Sequence, residues 1–491
     1  VSEPHILAID QGTSSTKCIL VDAGGRVVSR ATTAVKIDYP RPGWVEQSAE
    51  QIWDSVLQAT AACLAGRDAE SVAAVGLSTQ RESILMWDRV TGSPVGPVIG
   101  WQDQRTADDA ERLRSAGVGD TVRRLSGLPL DPMFSALKAS WLLDHYDPDR
   151  SRALRGELCL GTVDSWLVHE LVGGHFIELG NAARTQLLDV RRRAWSAELL
   201  DIFGIPSTVL PTILPSGGAV GDVRHIGLSP GVPLTAVMAD SHAALFAHGV
   251  LTPGTVKATF GTGSSVMGLV DEHRDVGPGL CLTIAWDAGN PVYAAEGNIR
   301  ASGAVLAWAA SILGTTPHGV LEMARSATND GVDLVPAFGG LGAPWWDDHA
   351  VGLLTGLTLG TGPAQIARAA VEAIALQVVD VATHIGRVVG HVDALFVDGG
   401  GSVSDLLMQL QADFAGVPVH RAQATDLSAL GAAHLAGLVR GVWDDATLRS
   451  LPRTCDVFVP VGTTARAKTR ITEWHEAIAR ARRVPGVMGS G

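Results

Sequence analysis

Cysteine is scarce in this 491-residue chain: Cys18, Cys63, Cys159, Cys281 and Cys455 lie far apart, with no CxxC pair among them. That argues against a disulfide framework and against a structural zinc, and predicts reduced, mostly buried thiols. Basic residues are in the minority, 38 Lys and Arg against 51 Asp and Glu, for a formal charge of −13. An acidic chain has no footprint for a phosphate backbone, which argues against nucleic acid as a partner. Charges, Gly or Pro break every apolar run before about 18 residues, so no membrane span is expected. The start, Val1-Ser2-Glu3-Pro4, lacks a basic segment leading into an apolar one. No signal peptide is therefore expected, and the cytoplasm is the expected compartment. No Gly-Lys dipeptide occurs, which excludes a Walker A loop, and none of the Gly-rich turns completes GxGxxG after a strand. Gly227-Leu228-Ser229-Pro230-Gly231 fits GxSxG, but the residue after the serine must offer an N–H to an oxyanion, and Pro230 has none.

Hydrophobic residues make up 46% and charged residues 18%, enough to bury large cores. At this length two domains are expected, residues 1–250 and 251–484, with a frayed tail at 485–491. His5 to Ile9 and Lys17 to Asp22 read as a hairpin, Ser48 as the cap of an amphipathic helix, and Val72 to Leu77 as a buried strand. Strand-then-helix alternation recurs at 233–249 and 394–415, which points to an α/β fold.

Asp10-Gln11-Gly12-Thr13-Ser14-Ser15-Thr16 places a carboxylate at a strand end, then a glycine and a run of hydroxyls. Backbone N–H groups and hydroxyls at such a turn form a concave anion site, and the carboxylate can hold Mg²⁺ through water. Alone, the segment reads more readily as an ordinary Gly/Ser/Thr hairpin turn. The same chemistry returns at Phe260-Gly261-Thr262-Gly263-Ser264-Ser265, and Asp398-Gly399-Gly400-Gly401-Ser402 adds a third such turn. Asp240 ends the apolar run 234–239 and reads either as a helix N-cap or as a general base at a strand's carboxyl end. Arg81 and Glu82 could bind vicinal hydroxyls, although a charged pair on a loop is more often solvated surface. Trp101 is a stacking wall for a sugar or a core residue.

Taken together, these segments resemble the FGGY carbohydrate kinases, most closely the glycerol kinase branch. The resemblance runs in order through Asp10-Gln11-Gly12-Thr13, Tyr39 to Glu46, Gln80-Arg81-Glu82, Gly161 to Trp166, Gly340 to Asp347 and Gly431-Ala432-Ala433. It implies two domains of the ribonuclease-H type, as in actin and hexokinase, with a catalytic cleft between them. It also implies transfer of the γ-phosphoryl group of ATP to a primary hydroxyl, with Mg²⁺ as cofactor. In that reading Asp240 is the catalytic base and Asp10 and Asp240 hold the metal. Thr13, Ser14, Ser15, Lys17, Thr262, Gly303, Gly400 and Ser404 meet the nucleotide, while Ala307 replaces a common glutamine contact. Arg81, Glu82, Trp101 and Asp240 match the polyol-binding positions. Met133, Ser241 and Ser265 stand where a tyrosine, a glutamine and a phenylalanine are usual. The expected partner is a small polyol or sugar, glycerol or a longer polyol or ketose of about four to five carbons, because lost and shortened side chains widen the pocket and change its polarity. Xylulose is a weaker candidate, since Gln80-Arg81-Glu82-Ser83 replaces the Gln-Met-His-Gly of xylulokinases. Homo-oligomerisation is left open. The alternative of another class is an actin-like or chaperone-like ATPase with no sugar acceptor.

Overall fold

The computed structural model describes residues 3–272 and 274–482; the expected tail at 485–491 lies outside them. Two mixed sheets, of six and seven strands, dominate the architecture, and each sets three antiparallel strands beside two parallel ones. The first joins β1 (His5–Gln11), β2 (Ser15–Val21), β3 (Val27–Ala34), β4 (Val72–Thr79), β5 (Gly217–Asp222) and β6 (Pro233–Ala239) in the spatial order β5-β6-β4-β1-β2-β3. β1, β2 and β3 form an antiparallel meander, while β4 and β6 run parallel to β1 on its other side. β1 and β6 are apolar along almost their whole length because helices cover both faces, whereas the edge strand β3 alternates between half-buried and exposed residues.

Three helices position the first sheet's functional residues. α1 (Ala49–Leu64) is capped by Ser48, which accepts the Gln51 N–H as expected, and it packs on β2 and β3. α2 (Ser135–Tyr146) belongs to a separate core beside a small four-stranded sheet, and α3 (Asp240–Ala247) follows directly from β6.

The second sheet is built from β7 (Thr255–Phe260), β8 (Ser264–Val270), β9 (Cys281–Asp287), β10 (Pro291–Ile299), β11 (Ala394–Asp398), β12 (Val419–Ala422) and β13 (Cys455–Phe458). Its order is β9-β10-β8-β7-β11-β12-β13, again an antiparallel meander (β7, β8, β10) with strands β11 and β12 parallel on the far side. α4 (Gly303–Ile312) and the 27-residue α5 (Pro363–Val389) pack in its main core. α6 (Leu427–Arg440) comes from the second half of the sequence yet packs on β1, β4, β6 and α3 of the first sheet. One apolar core, including Ile6, Ala74, Met238, Phe246, Ala433, Met267 and Trp286, thus takes residues from both sheets. Among the described residues no single helix is long and apolar enough to cross a membrane.

Candidate active site

Three strands, two from the first sheet and one from the second, end at one cavity of about 740 Å³. Asp10 lies near the end of β1, Asp240 follows β6 directly, and Asp398 closes β11. Carboxyl ends of parallel strands are where open α/β sheets place ligands, because backbone N–H groups and helix starts there face outward. Lys17, Ser241, Lys257, Thr259 and Gly400 line the same space. Asp240 is not an N-cap: Ala239 holds that position, and Asp240 is the first helical residue, its Oδ1 accepting the Ser241 N–H at 2.6 Å. Its side chain keeps about a third of its surface, 34%, open to the cleft.

The electrostatics differ among the three acids. Burial first, and then the charge of Asp240, pushes Asp10 up to about 7, even though the Ser78 hydroxyl donates to it at 2.9 Å. Burial also raises Asp240, against the opposing guanidinium of Arg81. For Asp398 burial is outweighed by Lys257, 4.0 Å away, and by His248, whose Nε2 lies at 2.8 Å, so its carboxyl stays below the ordinary range. Asp10 and Asp240 are the under-compensated pair.

Arg81 and Glu82 are not a solvated surface pair, because both are buried, at 6% and 4% exposure. Arg81 Nε lies 3.6 Å from Asp240 Oδ1, which ties the turn after β4 to the acid after β6. Glu82 has φ of 61°, a conformation costly for a side chain with a Cβ, and is held there by Arg184 Nε donating to Oε1 at 2.6 Å and by Ser135 Oγ donating to its carbonyl at 3.0 Å. The Trp101 N–H donates to Ser83 Oγ, and its indole N–H donates to Thr13 Oγ1, both at 3.0 Å. Its half-buried ring therefore joins the Arg81–Glu82 turn to the first hydroxyl-rich turn. Met133 packs with Leu128, Phe134, Cys281 and Trp346. Buried Lys138 of α2 donates to the carbonyls of Met133 (2.7 Å) and Gly100 (3.2 Å), bracing the segments that carry Met133 and Trp101. Burial lowers its ammonium to about 8. Ser265 is buried and its hydroxyl donates to Glu296 Oε1 at 3.0 Å, so the position is not simply freed volume.

The nucleotide candidates sit on the two hairpin turns and the third glycine turn. Ser14 and Thr262 are exposed, and Thr13, Ser15 and Lys17 are half-buried. The Thr262 turn is clasped to the start of α4: the Gly303 N–H donates to the Gly261 carbonyl at 2.9 Å, and a Cβ at Gly303 would approach that oxygen to 2.7 Å. Gly400 is exposed on the cavity wall. Ser404 is buried, and its hydroxyl is engaged as the N-cap of helix Asp405–Ala415, accepting the Leu407 N–H at 3.3 Å.

The fold also brings here four ionisable side chains that the local motifs do not single out: Arg184, Lys257, Glu296 and His248. Lys257 and Glu296 carry a signal in the sequence, since each is a lone charge inside an apolar strand and each is fully buried.

Residues 5–247 match the N-terminal domain of the FGGY family of carbohydrate kinases, and residues 256–439 match its C-terminal domain. The chain belongs to the FGGY family of carbohydrate kinases. Among its relatives, an apulose kinase of Pectobacterium atrosepticum is 43% identical, covering 98% of this chain and 99% of its own. A glycerol kinase of Aromatoleum aromaticum is also 43% identical, over 97% and 99%. The solved structure of Plasmodium falciparum glycerol kinase with ADP superposes with a TM-score of 0.91 at 26% identity, each chain covered to 98%. A xylulose kinase of Lactobacillus acidophilus, at 22% identity and a TM-score of 0.86, shares the fold. This FGGY kinase therefore has two ribonuclease-H-like sheets with a cleft between them, as expected, and is a phosphotransferase with an alcohol acceptor.

A divalent cation fits the kinase's cleft. Among the described residues no group of three or more His, Cys, Asp or Glu side chains could form a protein cage for a metal. Asp10 and Asp240 nevertheless face one cavity as an under-compensated pair. Mg²⁺ is commonly held by one or two carboxylates together with waters and phosphate oxygens, a donor set this pair can start.

Proposed function

We propose that the kinase transfers the γ-phosphoryl group of ATP to a primary hydroxyl of a small polyol or ketose, with Asp240 as the base. The observation that carries the reading is the convergence of Asp10 and Asp240 on one cavity with Arg81 beside Asp240. The acceptor hydroxyl gives its proton to the Asp240 carboxylate as its oxygen bonds to phosphorus, and the bond from phosphorus to ADP breaks. Arg81 and Glu82 hydrogen-bond neighbouring hydroxyls, and Trp101 walls the acceptor on the side of Thr13. Met133, Ser241 and Ser265 complete the acceptor pocket. Thr13, Ser14, Ser15 and Lys17 on one side, and Thr262, Gly303, Gly400 and Ser404 on the other, bind the nucleotide. Asp10 and Asp240 would hold Mg²⁺, which supplies charge neutralisation on the phosphate oxygens when bound. Residues 1–250 carry the base, the first phosphate turn and most of the acceptor pocket, and 251–484 carry the rest of the nucleotide site together with Ser265, with α6 reaching back onto the first sheet.

The acceptor proposed is a molecule of about four to five carbons, because Met133 supplies no phenolic hydroxyl and Ser241 is short, which leaves room, while Ser265, bonded to Glu296, changes the polarity. The 43% identity to an apulose kinase supports a ketose. Equal identity to a glycerol kinase keeps glycerol as the second reading. Asp240→Asn tests the chemistry: turnover is expected to fall roughly 10²- to 10⁴-fold, typical for loss of a general base, while MgATP affinity measured by calorimetry stays near wild type. Unchanged turnover would refute the assignment.

A further inference from the structure

Glu296, on β10 of the second sheet, is fully buried, and its carboxylate is ringed by protein donors. Arg81 grips it with both ends of its fork, Nη1 donating to Oε2 at 2.9 Å and Nη2 to Oε1 at 2.8 Å. Arg184 Nη1 lies 2.8 Å from Oε2, while Ser265 Oγ and Asn298 Nδ2 donate to Oε1 at 3.0 and 3.2 Å. Oε1 accepts three hydrogen bonds and Oε2 one beside the Arg184 ion pair, and no part of the side chain is open to a ligand. Glu296 does not itself contact the acceptor.

Its effect is on Arg81. With both Nη atoms held, Arg81 turns only Nε toward the first-sheet acids, 3.6 Å from Asp240 Oδ1 and 3.8 Å from Glu82 Oε1. A guanidinium released from Glu296 would find Asp240 as the nearest partner for its fork, and a bidentate pair there is strong and geometrically specific. The base would then be occupied by an internal cation, and the clamp for the acceptor hydroxyls would be lost. Arg184 is shared in the same way, between Glu296 and Glu82. The carboxylate comes from one sheet and both arginines from the other half of the sequence, so the clamp is set across the boundary between the two sheets.

We infer that Glu296 is a positioning residue that holds Arg81 off Asp240 across the inter-sheet boundary, keeping the base free and the acceptor clamp aimed. The inference rests on the reading of Asp240 as base and Arg81 as clamp. A different role is available to any buried ion pair, that of scaffold only, and the two are separated by substrate-specific kinetics.

Glu296→Gln keeps size and removes charge; Glu296→Asp keeps charge and removes reach. In Glu296→Gln the KM for the best acceptor is expected to rise roughly 10- to 100-fold and kcat to fall about 10-fold, with the KM for MgATP changed by less than about 2-fold. Glu296→Asp should recover part of kcat while keeping a raised acceptor KM. Wild-type acceptor KM and kcat in either folded variant would overturn the inference, as would equal losses for acceptor and nucleotide in both, the mark of a scaffold. Should Glu296→Gln fail to fold, the acceptor KM of Glu296→Asp against its MgATP KM separates the two roles in the same way. The Asp240→Asn result is read separately: retained turnover there removes the underlying reading, whereas lost turnover there with an unaffected Glu296→Gln removes only this inference.

Discussion

Arg81 and Glu82 show how much a single residue's meaning depends on what folds over it. In the sequence they are a charged pair on a loop, and the bland expectation for such a pair is solvent. In the fold they are buried, and the carboxylates of Glu296, Glu82 and Asp240 more than offset the burial penalty on Arg81, keeping its guanidinium firmly charged. The surrounding charges also set a pH dependence. Asp240 must be ionised to take a proton, and burial raises its pKa, with Arg81, the Ser241 N–H and Lys257 opposing and Glu82 adding to the rise. Below the raised pKa the base is protonated, so kcat/KM should fall as pH drops through a value above that of an ordinary aspartate. Glu82→Gln removes a neighbouring negative charge, stabilises the ionised base and should move this acid limb to lower pH. Profiles of kcat/KM against pH for both proteins check the sign; a limb that moves upward in Glu82→Gln contradicts it.

At the scale of elements, the proposed base, Asp240, is held by a helix crossing. α3, which begins with Asp240, packs against α6, and the contact is as close as backbone permits: a Cβ on Gly431 would lie 1.8 Å from the Ala243 carbonyl oxygen. On the adjoining face, a Cβ on Gly76 of β4 would meet the Ala432 carbonyl at 2.4 Å. Gly431→Ala must therefore push α6 from α3. Overpacking of this kind costs about 1–3 kcal/mol, so the melting temperature should fall, and kcat should fall with it because the start of α3 carries the base. Gly119→Ala, where a Cβ meets nothing within 4 Å, is the control expected to leave both unchanged. Melting curves and kcat for the two variants test the pairing; a Gly431→Ala protein as stable and as active as wild type contradicts it. The elements themselves are largely legible in the sequence: the opening hairpin, the Ser48-capped helix and the strand from Val72 all fall where periodicity and capping chemistry predict them. The crossing is not, because Gly431-Ala432-Ala433 shows small residues without saying which backbone they admit.

For the whole molecule, two sheets that each open on an antiparallel hairpin, joined by one shared core, account for the paired hydroxyl-rich turns that the sequence displays some 250 residues apart. Those turns, Asp10 and Asp240 can be found from local chemistry because strand ends and glycine turns leave a local trace. Arg184 leaves no such trace, and Glu296 shows only as a lone charge in an apolar strand, because their meaning lies in partners more than a hundred residues away, Asn298 and Arg81 among them. In the proposed reading, the molecule is an acceptor kinase and not a bare ATPase because the Arg81–Glu82 clamp adjoins the hydroxyl-rich turns. ADP release measured with MgATP across three- to six-carbon polyols and ketoses is the most direct test. The account predicts release that depends on an added acceptor, is strongest for a ketose or polyol of about four to five carbons, and is matched by an equal amount of phosphorylated product. ADP formed at one rate whether or not any acceptor is present, with no phosphorylated product, would contradict it.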